Sequence, residues 1–401
     1  MSRLQPAVRF VLACVFLDAL GFGLIIPVLP RLIGELAGGR GPQTYWYGLI
    51  MVGYGLMQFL SSPVLGALSD RFGRKPVLLT GIFGLGIMQL VPAVTTSLPL
   101  ILASRLAGGT LSANIVVAQA YIADITSPSR RAAAFGKIGA VFGIAFVIGP
   151  AIGGILGQVS PRIPFAFAAA ICCLNFAYGL FVLPESLREP SAKPWGFASF
   201  NPFGGLFKLL RARALVPLVA VIGLIYLAQS LMQCTWALYT EFRYGWTPLN
   251  IGLSMFLMGL CIATAQGWLL PRLLRRATER RVVTGATAAG ALTLLGIGLS
   301  PWGALAALLA WLFALAGMAS SVIQGLVSKH VPRTAQGEAM GAISSLNSFS
   351  GAVAPVISTP LLVCTATSAP DALAAGIPYF LSAAVLAAGA AIAAACAARF
   401  E

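Results

Sequence analysis

Acidic residues are scarce in this chain: Asp and Glu number 11 and histidine 1 among 401 residues, and all charged types together make up 9%. A water-soluble domain carries roughly 25% charged residues, so no ordinary solvated surface can be built from this composition. The single histidine, His330, falls in an expected loop with no intramembrane cysteine, histidine or paired-carboxylate cluster to join, which leaves an enzyme without a catalytic constellation. No Gly-x-x-x-x-Gly-Lys-Ser/Thr loop occurs, so ATP is not expected as the direct energy source. The seven cysteines (Cys14, Cys172, Cys173, Cys234, Cys261, Cys364, Cys396) sit in apolar stretches without metal-ligand spacing. Neither a metal site nor a secreted disulfide framework is expected from them. A channel would need a ring of charge or a filter-like repeat, and neither is present.

Hydrophobicity takes the place of charge, at 58% of residues and a mean hydropathy of +0.89. A bilayer core of about 30 Å takes roughly 20 apolar residues per helix. Apolar segments run near 8–29, 45–67, 77–96, 99–122, 132–157, 164–183, 214–239, 249–271, 282–299, 303–327, 338–363 and 377–398, which predicts an all-α membrane protein of twelve spans. The first is longer than a signal-peptide core and lacks a small-residue cleavage site, so it is expected to be retained. The net charge of +15 is dispersed among apolar helices, forming no single basic face for nucleic acid. With the N-terminus inside, basic residues such as Arg71, Arg74, Lys75, Arg130 and Arg131 collect on the cytoplasmic side. Only Arg31, Arg40, Arg162 and Arg243 fall on the other. The positive-inside rule then puts both termini in the cytoplasm.

The longest connection, Pro184 to Arg213, contains Pro184, Pro190, Pro194 and Pro202 and divides the chain into a bundle over 1–183, a linker over 184–213 and a bundle over 214–401. An internal repeat supports that cut. A shift of 205 residues lays Gly136 on Gly341, Pro150 on Pro355, and the basic turn from Gly66 to Lys75 over that from Pro271 to Arg280. One shift satisfying all three is what parallel duplication of a six-helix half produces. Arg275 replaces Asp70 in the second copy.

The first-half turn reads Gly66-Ala-Leu-Ser-Asp70-Arg71-Phe-Gly73-Arg74-Lys75-Pro76. Gly73 is free to make a tight turn, and Pro76 is placed to open the next helix. This run resembles motif A of the major facilitator superfamily. Arg105-Leu-Ala-Gly-Gly109 resembles its motif B, and Gly139-xxx-Gly143 with Gly149-Pro150-xx-Gly153-Gly154 resembles its antiporter motif C. Asp18-Ala-Leu-Gly-Phe-Gly-Leu-Ile-Ile-Pro27-Val-Leu-Pro30 resembles the opening of the drug/proton antiporter branch, and Ser160 to Phe165 the tetracycline/proton antiporters within it. The resemblance implies two pseudo-symmetric six-helix bundles and proton-driven export of a small molecule by alternating access.

Asp18 is the only carboxylate well inside an apolar segment, about ten residues or ~15 Å of helix rise from its start. A carboxylate there costs several kcal/mol unless protonated, paired or hydrated, so Asp18 is a candidate proton site; it could instead bond backbone amides and fix helix packing. Arg105, in the fourth segment, needs a partner or a water-filled cavity for the same reason. The resemblance assigns it to proton handling, with a structural bond to carbonyls as the alternative. It also implies a cytoplasmic gate at Gly66, Asp70, Arg71, Gly73 and Arg74, in which Asp70 contacts the start of the eleventh helix near Gly337 to Gly341. Asp124 and Arg131 could complete that charge cluster or be solvated loop charges. In the fifth segment, Gly143, Gly149, Gly153 and Gly154 allow close backbone approach, and Pro150 bends the helix.

Substrate contacts are sought among intramembrane polar and aromatic residues: Gln58, Asn114, Gln119, Asn175, Gln229, Gln233, Trp236, Gln266, Trp311, Gln324 and Asn347. Such amides also join helices to each other. A largely neutral cavity with one acid suits an amphipathic or cationic organic molecule. The tetracycline exporters carry further acids in helices 3 and 9; aligned here these positions are Met88 and Gly290, and neither helix is expected to contain an acid. The expected function is therefore proton-coupled efflux of a drug or metabolite by a monomer, with the bilayer as its surroundings and no cofactor beyond the proton. Import of a metabolite on the same fold is the alternative.

Overall fold

The computed structural model describes residues 4–112, 114–126, 131–187, 215–331, 336–369 and 372–395. Lipid offers no hydrogen bonds to an open backbone, so a chain this apolar must satisfy its peptide groups within each segment. Among the described residues, twelve helical segments are long and apolar enough to cross a membrane, and no strand occurs. In the first half the helices are α1 (Leu4–Ile25), α2 (Leu29–Ala37), α3 (Arg40–Phe72), α4 (Arg74–Val94), α5 (Leu98–Leu111), α6 (Asn114–Ile125), α7 (Arg131–Val159) and α8 (Ile163–Val182). In the second half they are α9 (Val216–Tyr244), α10 (Pro248–Thr264), α11 (Leu270–Leu274), α12 (Glu279–Leu299), α13 (Gly303–Phe313), α14 (Gly317–His330), α15 (Gln336–Thr367) and α16 (Ile377–Ala395). Spans 4, 8 and 10 are each built from two helices. A turn at Ser112 separates α5 from α6, a π-helical turn over Ala265–Leu269 joins α10 to α11, and a 3-10 turn over Ala314–Ala316 joins α13 to α14.

Several boundaries differ from the apolar segments for physical reasons. The first segment was expected to run to residue 29, but α1 stops at Ile25 ahead of Pro27, which has no N–H to donate. Pro30 then sits in the first turn of the short α2, where that missing donor does no harm. α3 extends well beyond its apolar stretch at both ends: its 33 residues correspond to about 50 Å, far more than a bilayer core. α12 begins at Glu279, so the ninth helix does carry an acid, but in its first turn and paired to Lys329 at 2.6 Å. His330, expected in a loop, is the last residue of α14.

Two compact units are present. One comprises Met1–Gly39, Leu49–Pro202 and Thr247–Phe256; the other comprises Arg40–Gly48, Phe203–Trp246 and Leu257–Glu401. In the first, α1 packs on α7 and α8, and α4 packs on α8. In the second, α9 packs on α15 and α16, and α12 packs on α16. Span 1 with 5 and 6, and 3 with 6, thus recur as span 7 with 11 and 12, and 9 with 12: each unit repeats one packing plan. Phe10, Val11, Cys14, Leu78, Ile82 and Tyr121 belong to the core of the first. Outward, Val159 and Phe181 are 80% and 85% exposed, which suits contact with lipid and would be a liability in water.

All four arginines on the sparsely charged side have partners. Arg31 pairs with Glu35 at 3.3 Å, and the Arg40 guanidinium lies 5.5 Å from the centre of the Phe242 ring. Arg162 donates to the carbonyls of Pro92 and Thr95 at the end of α4, and Arg243 to that of Gly298 at the end of α12. A cation at a helix C-terminus satisfies carbonyls that have no partner in the helix and meets the negative end of its dipole.

The glycines of the fifth span divide into two groups. A Cβ at Gly149 would lie 2.9 Å from the Gly23 Cα, and one at Gly153 would run into the Leu24 carbonyl, so α1 and α7 touch through bare backbone. Gly154 meets Pro248 and Gly252 at the start of α10 in the same way. Around Gly143 nothing lies within 4 Å. Gly153→Ala should therefore destabilise the protein by about 1–3 kcal/mol through overpacking, while Gly143→Ala should be neutral or stabilising by up to about 1 kcal/mol. Thermal unfolding midpoints of the two variants in detergent micelles check this.

Candidate functional site

Asp18 lies two-thirds of the way along α1, half-buried and facing two helices that each offer it a carboxamide. Asn114, the first residue of α6, donates from Nδ2 to Asp18 Oδ2 at 3.4 Å, and Asn175 of α8 donates from Nδ2 to Oδ1 at 3.4 Å. Asn175 is fully buried, Asn114 nearly so. Asn175 Nδ2 also reaches the Cys14 carbonyl, one turn back along α1. Both asparagines were candidate substrate contacts in the sequence; the structure makes them ligands of the carboxylate.

Arg105 of α5 is 4% exposed and makes no ion pair with Asp18. Its Nη2 donates to the Met88 carbonyl at 2.8 Å and to Gln89 Oε1 at 2.9 Å, both on α4, and its guanidinium lies 5.7 Å from the centre of the Phe165 ring. Its Nε has no acceptor. The intramembrane acid and cation of this unit therefore occupy separate neutral settings.

At the turn between α3 and α4, Gly73 adopts φ 102°, a conformation that disfavours side chains. Arg74, the first residue of α4, is 6% exposed and holds the cluster together. It reaches Asp70 at 2.6 Å, Asp124 of α6 at 3.0 Å and Ser69 Oγ at 2.7 Å. Arg131 opens α7, and its side chain lies outside the described residues, as do residues 332–335 and the side chains of 336–338, where the resemblance places the contact of Asp70.

The sequence did not single out Glu185, which was read as the start of a linker. Its carboxylate accepts N–H bonds from Arg74 at 2.9 Å and Lys75 at 3.1 Å, capping α4, and two more from Ser186 and Leu187. A Cβ on Gly73 would come within 2.5 Å of Glu185 Oε2, so the glycine is required for this contact as well as for the turn. The proline-led Pro184-Glu185-Ser186 at the end of span 6 was the available signal, but nothing in it indicates which helix it meets. Gln89 was missed because one amide in an apolar helix carries no marker of its partner.

In the second unit, Gln324 Nε2 donates to the Tyr226 hydroxyl at 3.0 Å. Gln229 and Gln266 present their Nε2 atoms to Gly317, 3.8 and 3.6 Å from where its Cβ would stand. Beside the π-helical turn, Cys261, Thr264, Trp268, Trp311 and Leu315 line a mostly apolar cavity of about 310 Å³. Trp236 is 2% exposed and packs edge-on against Trp246 and Tyr379, in the core of its unit. Gln58 is half-buried, and Gln119, Gln233 and Asn347 are exposed.

Replacing Glu185 by Gln keeps its shape but removes the charge at the α4 N-terminus, and should cost about 1 kcal/mol. Faster hydrogen exchange at the Arg74 and Lys75 amides, with the rest of α4 unchanged, is the expected signature.

The Major Facilitator Superfamily profile matches residues 11–355. The class C tetracycline resistance protein of Escherichia coli is 35% identical over 363 residues, 90% of this chain and 91% of that protein. The class G protein of Vibrio anguillarum is 34% identical over 359 residues, 88% and 90% of the two chains. Among solved structures, the nucleoside transporter NupG superposes with a TM-score of 0.74 at 14% identity, over 98% of this chain and 99% of that one, a likeness of fold alone. The twelve spans and these matches make the chain a multi-pass membrane transporter, and it belongs to the Major Facilitator Superfamily.

Proposed function

We propose that the protein is a proton-coupled exporter of small amphipathic or cationic organic molecules, a drug efflux antiporter of the tetracycline-exporter type in a bacterial cytoplasmic membrane with both termini inside. The observation that carries this is the setting of Asp18: an acid within a membrane span, held by two neutral carboxamides, with the buried Arg105 engaged by Gln89 and Met88 instead. A carboxylate locked to a permanent cation would have little reason to take up a proton; one held only by amides can cycle between charged and neutral forms. The tetracycline resistance proteins to which the chain is similar support export of a drug-like molecule over import of a nutrient.

The chain departs from those relatives in ways that bear on the substrate. A Cβ at Gly290 would lie 2.6 Å from the Ala316 Cβ, so a carboxylate there would require α12 and span 10 to move apart. Met88 offers only its carbonyl to Arg105. The reading therefore uses Asp18 alone as proton carrier, with no relay of several acids. For the substrate it uses the second unit, where Trp268 and Trp311 supply aromatic faces and Gln229 and Gln266 supply amide donors. A π-helical turn frequently marks a functional site, and this one adjoins the Trp268–Trp311 cavity.

In inverted membrane vesicles energised by respiration, tetracycline or a lipophilic cation should dissipate the proton gradient with the unsubstituted protein and not with Asp18→Asn. Equal behaviour of the two proteins for every compound would overturn the assignment of Asp18. Trp311→Ala should raise the half-saturating concentration about tenfold, consistent with loss of ~1.4 kcal/mol of binding, while leaving drug-driven proton movement dependent on Asp18.

A further inference from the structure

The asparagines at Asp18 are each half-satisfied. Both donate an N–H to the carboxylate, and both leave a buried carbonyl oxygen, Asn114 Oδ1 and Asn175 Oδ1, without a donor. That arrangement suits an ionised Asp18, which only accepts hydrogen bonds. It does not suit the protonated acid, whose O–H needs an acceptor while both amides present N–H. A half-turn about the terminal torsion of an asparagine exchanges its oxygen and nitrogen, and this torsion has a broad profile.

The two amides are not equally free to turn. Asn175 Nδ2 also donates to the Cys14 carbonyl at 3.4 Å, so turning it would set its oxygen against another oxygen and lose two bonds. Asn114 Oδ1 lies over the Cα of Gly81 on α4, where a side chain would collide with it, and it gives up no bond on leaving. Asn114 also stands immediately after the turn that interrupts span 4. The titratable neighbours of Asp18 are Cys14 on its own helix, Cys172 on α8 and Tyr54 on α3, a set with no second carboxylate, imidazole or amine to compete for the proton. The nearby cation, Arg105, is bonded to Gln89 and Met88.

We propose that Asn114 reports the proton on Asp18: when Oδ2 takes up a proton from water, the Asn114 amide turns over and accepts the new O–H through Oδ1, while Asn175 keeps its orientation. Uptake breaks one O–H bond of a hydronium ion, leaving water, and forms the acid O–H; no other covalent bond changes, and release of the proton to water reverses the turn. Gly81 is what leaves room for either end of the amide. Asn114 is thus a positioning residue that distinguishes the two charge states of the coupling acid, and this rests on the proton-coupled reading above.

The test is proton-induced infrared difference spectroscopy on the full-length protein in lipid. The acid C=O band of Asp18, identified by its loss in Asp18→Asn, should move to higher frequency in Asn114→Leu, where the O–H loses its acceptor, and stay in place in Asn175→Leu. In the unsubstituted protein, carbonyl-labelled asparagine should add an isotope-sensitive band to the same spectrum, a readout that does not depend on either variant folding. An unmoved acid band in Asn114→Leu, a shift in Asn175→Leu, or a spectrum without any asparagine band overturns the proposal and leaves proton coupling standing. Absence of any band that depends on Asp18 overturns the proton-coupled reading, and the proposal with it.

Discussion

A negative charge inside a hydrocarbon-bounded bundle has to be held by something, and the identity of the holder decides what the charge can do. Around Asp18 the holders are two carboxamides from α6 and α8. Amides supply hydrogen bonds without a full opposing charge, so they stabilise the carboxylate less than a guanidinium would and leave the neutral acid within reach. The packing of α1 between α7 and α8, the start of α6 at Asn114, and the diversion of Arg105 to α4 all serve that balance.

Charge at the turn between α3 and α4 is handled in the opposite way. There Arg74 is shared among Asp70, Asp124 and Ser69, while the backbone of α4 is capped by Glu185 from beyond α8. Span 2, span 3, span 4 and the exit of span 6 are tied at one corner by charge-assisted bonds, which are stronger and more directional than neutral ones. One corner of the unit is braced by ions and its interior by amides.

Much of this was legible in the residues. Twelve spans, the duplicated packing plan, the turn at Gly73 and the isolation of Asp18 follow from hydropathy, a 205-residue repeat and the rarity of acids. Partner choice was not legible. Whether Arg105 meets Asp18 or Gln89 depends on the rotation of α5 about its axis, and hydropathy constrains that poorly when a helix is apolar on most faces. The helix interruptions at Ser112 and Ala314–Ala316 were hidden for a similar reason: in an Ala- and Leu-rich stretch no proline announces the break. The burial of Trp236 was not legible either, because an intramembrane tryptophan looks alike whether it lines a cavity or fills a core. Glu185 was discounted because its neighbours read as linker.

The seam between α1 and α7 has a mechanical consequence. Where Gly23 and Leu24 meet Gly149 and Gly153, no side chain stands between the two backbones, so there is no rotamer to change and no methyl group to compress. Such a joint cannot absorb a displacement as an ordinary apolar interface does; it transmits it. Asp18 lies little more than a turn from that joint, and on its far side Gly154 bears on the start of α10. The pair of helices acts as one stiff strut, with Asp18 little more than a turn to one side of the joint and the loop-proximal end of span 8 on the other.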